Sequence, residues 1–200
     1  DDWAATMKRL ASPPARSAVL PLMLTWSGLN FGYYGMSTWI TVLLSNVGVG
    51  DVYLVALLYA AANLPGNVAA VVLIDRIGRR LLLGGAMALA ALAALCAATQ
   101  IHSPQLAFVV VAAVSFNAFG TAGWSALDAL STESFEPDVR ATAFGVVAAA
   151  GRLASIVAQE VNGHLASSPA TLLFVTSGMM ALGCTGVMCL RLRNEGAAPS

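Results

Sequence analysis

Apolar stretches long enough to cross a bilayer recur along the chain, separated by short segments with turn chemistry. Crossing about 30 Å of hydrocarbon takes roughly 20 helical residues. Six stretches meet that length: residues 19–44, 52–74, 81–99, 106–130, 141–165 and 172–190. Their Ala, Leu, Val and Gly residues show no strict alternation, which excludes barrel strands and leaves helices. The breaks read as turns: Asn46 to Gly50, Asp75 to Arg80, Ser103-Pro104, Glu136-Pro137-Asp138 and Ser167-Ser168-Pro169. The expected organisation is a cytoplasmic linker over 1–18, a six-helix transmembrane bundle over 19–190 and a cytoplasmic tail over 191–200.

Composition removes the soluble alternatives. Of 200 residues, 58% are hydrophobic and only 10% charged, and mean hydropathy is +0.76. A soluble domain carries roughly 25% charged residues, so a soluble enzyme, a nucleic-acid binder with a basic face and a disordered segment are all excluded. The chain reads as an all-α integral membrane protein with the lipid bilayer as a partner and no nucleic acid. Cys96, Cys184 and Cys189 lie in apolar runs, and no histidine lies near Cys184 or Cys189. They read as packing residues, so neither a metal site nor a cofactor is expected.

Basic residues fix the expected orientation. Lys8, Arg9, Arg16, Arg76, Arg79, Arg80, Arg140, Arg191 and Arg193 fall in the N-terminal segment, the second and fourth loops, and the tail. With six spans, all of these share one side, and the other three loops hold no Lys or Arg. The positive-inside rule then places both termini in the cytoplasm; which membrane is not legible.

Polar residues inside the spans carry the functional signal, because each is costly in lipid. Asn30, Asn63, Asn117 and Arg152 each stand eleven positions beyond the first residue of their span, about 17 Å deep and close to the midplane. Neighbours at helical spacing extend each into a stripe: Tyr33 and Tyr34; Asn67, with Pro65 between; Thr121, Trp124 and Asp128; Ser155 and Gln159. The first, second, fourth and fifth spans would face a polar cavity, and the third and sixth would be lipid-facing support. Interhelical hydrogen-bond glue is the plainer reading of any single Asn. Arg152 at mid-bilayer needs a carboxylate, a substrate anion or water. Glu160 and His164, one turn apart near the outer end, are proton-coupling candidates or a solvated vestibule pair.

The loops carry a resemblance. Asp75-Arg76-Ile77-Gly78-Arg79-Arg80 resembles the D-R-x-G-R-R loop motif of major facilitator superfamily transporters, which lies between their eighth and ninth helices. Glu133-Ser134-Phe135-Glu136-Pro137-Asp138-Val139-Arg140-Ala141-Thr142 is similar to the E-x-[YF]-P-T-x-x-R-A-T stretch of the sugar and organic-ion branches, with Pro137 displaced by one. Phe31-Gly32-Tyr33-Tyr34-Gly35 is similar to the F-x-Y-Y-G of the synaptic-vesicle-2-like and organic-ion branches. Gly151-Arg152-Leu153-Ala154-Ser155-Ile156-Val157 resembles the A-R-[VL]-G-S-I-V of organic-anion transporters, whose arginine faces the cavity.

The resemblance implies helices seven to twelve of a twelve-helix fold, with an N-terminal six-helix half as partner. It further implies transport of a small-molecule solute by alternating access, the solute anionic if Arg152 faces it. On that reading Arg152 attracts the anion, Asn30, Asn63, Asn67 and Asn117 hydrogen-bond it, and Tyr33, Tyr34 and Trp124 pack on it. Asp75, Arg79 and Arg140 form a cytoplasmic latch, in a gate that includes Arg76, Gly78, Arg80 and Glu133. A sugar or organic-cation transporter, or a non-transporting scaffold half, are the alternatives. The serine and aspartate motifs of intramembrane enzymes are absent, so no enzymatic activity is expected.

Overall fold

The computed structural model of the protein describes residues 3–46, 48, 50–101 and 106–190. The expected tail and the Ser103-Pro104 turn lie outside the described residues. Eight helices run in order among them: α1 (Trp3–Ala11), α2 (Pro13–Asn46), α3 (Val52–Ala61), α4 (Asn63–Ile77), α5 (Arg79–Gln100), α6 (Leu106–Glu133), α7 (Pro137–Leu165) and α8 (Pro169–Cys189). No strand occurs among the described residues. The segment expected as a linker forms α1 and the first turns of α2.

Among the described residues, five helical stretches are long and apolar enough to cross a membrane: Val52–Ile77, which joins α3 and α4, together with α5, α6, α7 and α8. The first expected span, within α2, is not among them. Asn30, Tyr33, Tyr34 and three glycines dilute its apolar content. Prolines set several helix starts. Pro137 and Pro169 occupy first-turn positions of α7 and α8, where a missing N–H costs nothing and φ is already helical. The helices therefore begin earlier than the apolar runs do.

α2 packs along α7 and α8, α5 along α6 and α8, and α4 along α6. The resulting order is α7, α2, α8, α5, α6, α4, with α2 and α6 also touching each other. The α2–α8 seam is close enough to require glycine: a Cβ at Gly28 would lie 2.6 Å from the Gly183 Cα. On α5 one stripe is buried, through Leu82, Leu83, Ala86, Met87, Ala90, Ala91, Ala94, Ala97 and Ala98, at helical spacing. Leu81, Leu89, Leu92 and Leu95 on its other face are exposed. Thus α5 and α8 are the scaffold's packed centre as well as carrying an exposed apolar surface, whereas α7 and the α3–α4 rod are the least covered.

One end of the bundle gathers charge. Arg9 on α1 reaches Glu136 at 3.5 Å, Arg79 reaches Glu133 at 3.2 Å, and Arg80 donates to the Val187 and Met188 carbonyls at 3.2 and 2.7 Å. Gly78, at φ +83°, makes the reversal between α4 and α5 in a conformation L side chains disfavour.

Candidate functional site

Aromatic and polar side chains from α2, α4, α6 and α7 converge between these helices. α2 presents Trp26, Asn30, Tyr33 and Tyr34, and α6 presents Asn117, Thr121 and Trp124, each set at helical spacing. Tyr33, Tyr34 and Trp124 meet in one cluster, with ring centroids 5.6 to 5.9 Å apart. Trp26 extends it, standing edge-on to Trp124 at 5.7 Å and to Phe144 of α7 at 5.5 Å. Such tilted arrangements suit ring quadrupoles. The Trp26 indole N–H donates to Ser131 Oγ at 2.9 Å, which fixes that ring. The Arg152 guanidinium lies over the Tyr34 ring, 5.5 Å from its centroid, a cation–π distance.

Behind the rings sits a hydrogen-bond node. The Asn63 amide oxygen accepts from Tyr33 Oη at 3.2 Å, Asn117 Nδ2 at 3.0 Å and Thr121 Oγ1 at 2.5 Å. Asn117 Nδ2 also donates to the Tyr59 carbonyl at 2.6 Å. Asn30 is fully buried, and its Nδ2 donates to the Trp26 carbonyl of its own helix at 2.8 Å. Three of the mid-span polar positions are therefore tied into the bundle itself. Asn30 Oδ1, Asn117 Oδ1 and Trp124 Nε1 are nonetheless buried without a partner among the described residues.

The other expected residues separate by location. Asn67, one turn beyond Asn63, is exposed on α4 and apart from the node. Gln159 braces α2, accepting from Trp39 Nε1 at 3.1 Å and donating to the Tyr34 carbonyl at 3.3 Å. His164 Nδ1 stands 3.9 Å from Glu160 Oε1, and both side chains are about four-fifths exposed. At the charged end Arg79 bridges Asp75 at 3.4 Å and Glu133 at 3.2 Å. Arg140 instead donates to the nearby Phe135 carbonyl at 3.4 Å, so the Asp75–Arg79 pair is closed by Glu133. Arg76 is exposed beside them. No group of metal-ligating side chains occurs among the described residues.

Residues 3–192 match the sequence family described as "Sugar (and other) transporter". The chain belongs to this family of the major facilitator superfamily. It is a multi-pass integral membrane protein of a transporter family, not of an enzyme family. The niacin transporter NiaP of Acinetobacter baylyi is 30% identical over 148 residues, covering 73% of this chain and 33% of that protein. Synaptic vesicle glycoprotein 2C of Mus musculus is 30% identical over 141 residues, 70% of this chain and 19% of that one. Solute carrier family 22 member 7 of Bos taurus is 32% identical over 148 residues, 74% and 26% respectively. The matched region thus spans about a third or less of these relatives.

Within this transporter family member, sequence reasoning passed over Trp26, Phe144, Ser131 and Tyr59. Trp26 was legible, one turn before Asn30 on the same face. Phe144 and Ser131 carry no signal in an apolar run, since only the tertiary contact with Trp26 gives them a role.

Proposed function

We propose that this chain forms the C-terminal six-helix half of a major facilitator transporter that moves a small organic anion by alternating access. The reading counts α2 as a sixth span, tolerated in lipid because its polar groups are bonded inside the bundle. Both termini face the cytoplasm, since the segments rich in Lys and Arg share the charged end. An N-terminal six-helix half covers the sparsely packed α7 and α3–α4 rod, and the solute site lies between the halves near the midplane.

Arg152 carries the reading. It is exposed on α7, stacked on Tyr34, and in no ion pair among the described residues. Asp128 of α6 lies within electrostatic reach of this charge without closing an ion pair on it, so the guanidinium stays available to a carboxylate or similar anion. Tyr34 and Trp124 supply aromatic walls, Asn67 an exposed amide, and Asn30, Asn63, Asn117 and Tyr33 hold those walls in place. NiaP is named a niacin transporter, and niacin, a planar ring bearing a carboxylate, has both features this site would recognise. Arg79, shared between Asp75 and Glu133, acts as the cytoplasmic latch, with Arg76, Arg80 and Arg140 lining the same end. Glu160 and His164 are the candidates for taking up a co-transported proton.

Uptake of radiolabelled niacin by cells expressing the full-length protein tests the anion assignment. A lost charge-assisted bond is worth about 1.5–3 kcal/mol, so Arg152→Ala raises KM by about 10- to 150-fold, and Arg152→Lys recovers part of it. An unchanged KM in Arg152→Ala removes the assignment.

A further inference from the structure

The polar stripe of α6 ends in a carboxylate that the bundle does not use. Asn117 and Thr121 are spent on the Asn63 amide oxygen, and Trp124 packs on Tyr33 and Tyr34. Asp128, one turn beyond Trp124, is exposed. Among the described residues it closes neither an ion pair nor a hydrogen bond. Glu133, further along the same helix, is already engaged by Arg79. One carboxylate at this end of α6 is therefore tied, and the other is free.

The free carboxylate faces one charge on another helix. Arg152 of α7 lies within its electrostatic reach and is likewise exposed. An aromatic wall stands between the two. The Arg152 guanidinium sits over the Tyr34 ring at 5.5 Å, and Tyr34 meets the Trp124 ring at 5.7 Å. Four helical residues then carry the chain about 6 Å from Trp124 to Asp128. The order along the site is a cation, two rings and an anion, drawn from α7, α2 and α6.

Each charge alone would admit a different solute. A lone guanidinium suits a carboxylate, and a lone carboxylate beside aromatic faces suits a cationic nitrogen, which the rings also attract. Together they disfavour either simple ion. A plain anion on Arg152 leaves Asp128 uncompensated and repelling it, and a plain cation on Asp128 does the reverse. A solute bearing both charges answers both and leaves the loaded site neutral, which lowers the cost of holding it at membrane depth. We propose that Asp128 and Arg152 are the two poles of one site, and that its solute is a zwitterion whose carboxylate and cationic nitrogen are held apart by an aromatic ring, as in a pyridinium carboxylate. Arg152 takes the carboxylate, Tyr34 and Trp124 the ring, and Asp128 the nitrogen. The assignment rests on the transporter reading and narrows it: the anion becomes one end of a doubly charged molecule, and Asp128 becomes the residue that selects it.

Calorimetric titration of the purified full-length protein with three probes tests the assignment without requiring transport. N-methylnicotinate carries both charges on one ring, benzoate the carboxylate alone and N-methylpyridinium the cation alone. Wild type is expected to bind N-methylnicotinate about tenfold or more tighter than either, the ratio that unit charges about 10 Å apart give at a near-surface dielectric. Asp128→Asn, of the same shape, removes the advantage over benzoate, and Asp128→Glu restores part of it. Arg152→Ala removes the advantage over N-methylpyridinium. Benzoate binding to wild type as tightly as N-methylnicotinate, or an advantage over benzoate that survives Asp128→Asn, overturns the zwitterion and leaves the anion reading in place. A protein that binds neither carboxylate loses the anion reading and this inference together.

Discussion

Gly151→Ala isolates a close approach between the helix that carries Arg152 and the one that carries the site's aromatic rings. A Cβ at this position would lie 2.5 Å from Asn30 Nδ2, 3.0 Å from Asn30 Cγ and 3.1 Å from Trp26 Cε3. Ordinary contact begins at 3.4 Å, so about 0.9 Å of clearance is missing, the size of overlap that strains a packed core. Neither neighbour can simply retreat. Asn30 is fully buried and bonded to the Trp26 carbonyl, and Trp26 is held by Ser131 and wedged between Trp124 and Phe144. Either α7 moves off α2 or the Asn30 bond breaks. Overpacking of this kind costs about 1–3 kcal/mol, while removing a mid-helix glycine returns about 0.5–1 kcal/mol. The net loss centres on about 1–2 kcal/mol, a fall in Tm of roughly 2–8 °C for a chain of this size. Gly145→Ala and Gly178→Ala are the controls, because a Cβ at either meets nothing within 4 Å. They keep only the helix gain and melt slightly higher. Tryptophan fluorescence during heating of the detergent-solubilised full-length protein reads all three. A Gly151→Ala protein that melts at or above wild type, alongside raised controls, would refute the close-packed α2–α7 seam.

Asn63→Leu strands three donors that now share one acceptor and should lower stability by about 2–4 kcal/mol, whereas Asn63→Asp, which keeps an acceptor oxygen, should lose clearly less; thermal melting of both variants compares them. Arg80→Ala removes two bonds to the last carbonyls of α8 and is expected to speed amide exchange there by at least tenfold while leaving α6 unchanged, as read by mass spectrometry. Glu133→Gln weakens an exposed ion pair worth at most about 1 kcal/mol, so Tm should hold, while labelling of a cysteine introduced at the charged end should rise if Arg79 is a latch. Glu160→Gln should likewise leave Tm unchanged, given its exposure; loss of the pH dependence of niacin uptake assigns the pair to proton coupling, and retention removes both residues from that role.

Periodicity and depth made much of the polar face legible. Asn63, Asn117 and Thr121 were found by position alone, and the structure places them at one node with Tyr33. What position could not supply was direction. An Asn at the midplane faces either a solute or another helix with the same sequence signature, and here Asn30 and Asn117 turn inward while Arg152 stays exposed. The Asp75–Arg79 pairing follows from their i,i+4 spacing. The choice of Glu133 over Arg140 as the third member does not, because it depends on how the α4–α5 reversal lies against the end of α6. Pro65 announced a weakened ladder, and the structure carries the helix past it with the Ala62 N–H on the Leu58 carbonyl and the Gly66 N–H on the Ala62 carbonyl.

The glycine contacts separate the stiff seams of the bundle from its exposed face. The α2–α8 seam admits no side chain at Gly28, and α4 meets α6 with none at Gly66, so these contacts are bistable at best and transmit motion as rigid bodies. α7 meets α2 as closely, at Gly151, while its other side leaves Arg152 exposed. The order of the seams predicts which variants act on which property. Gly28→Ala should destabilise the protein without changing niacin selectivity, since it touches only the back of the bundle. Arg152→Ala should change niacin uptake while Tm moves by less than Gly28→Ala moves it. The reverse pattern, a selectivity change from the back seam and none from Arg152, would mean that the helices do not divide the work in this way.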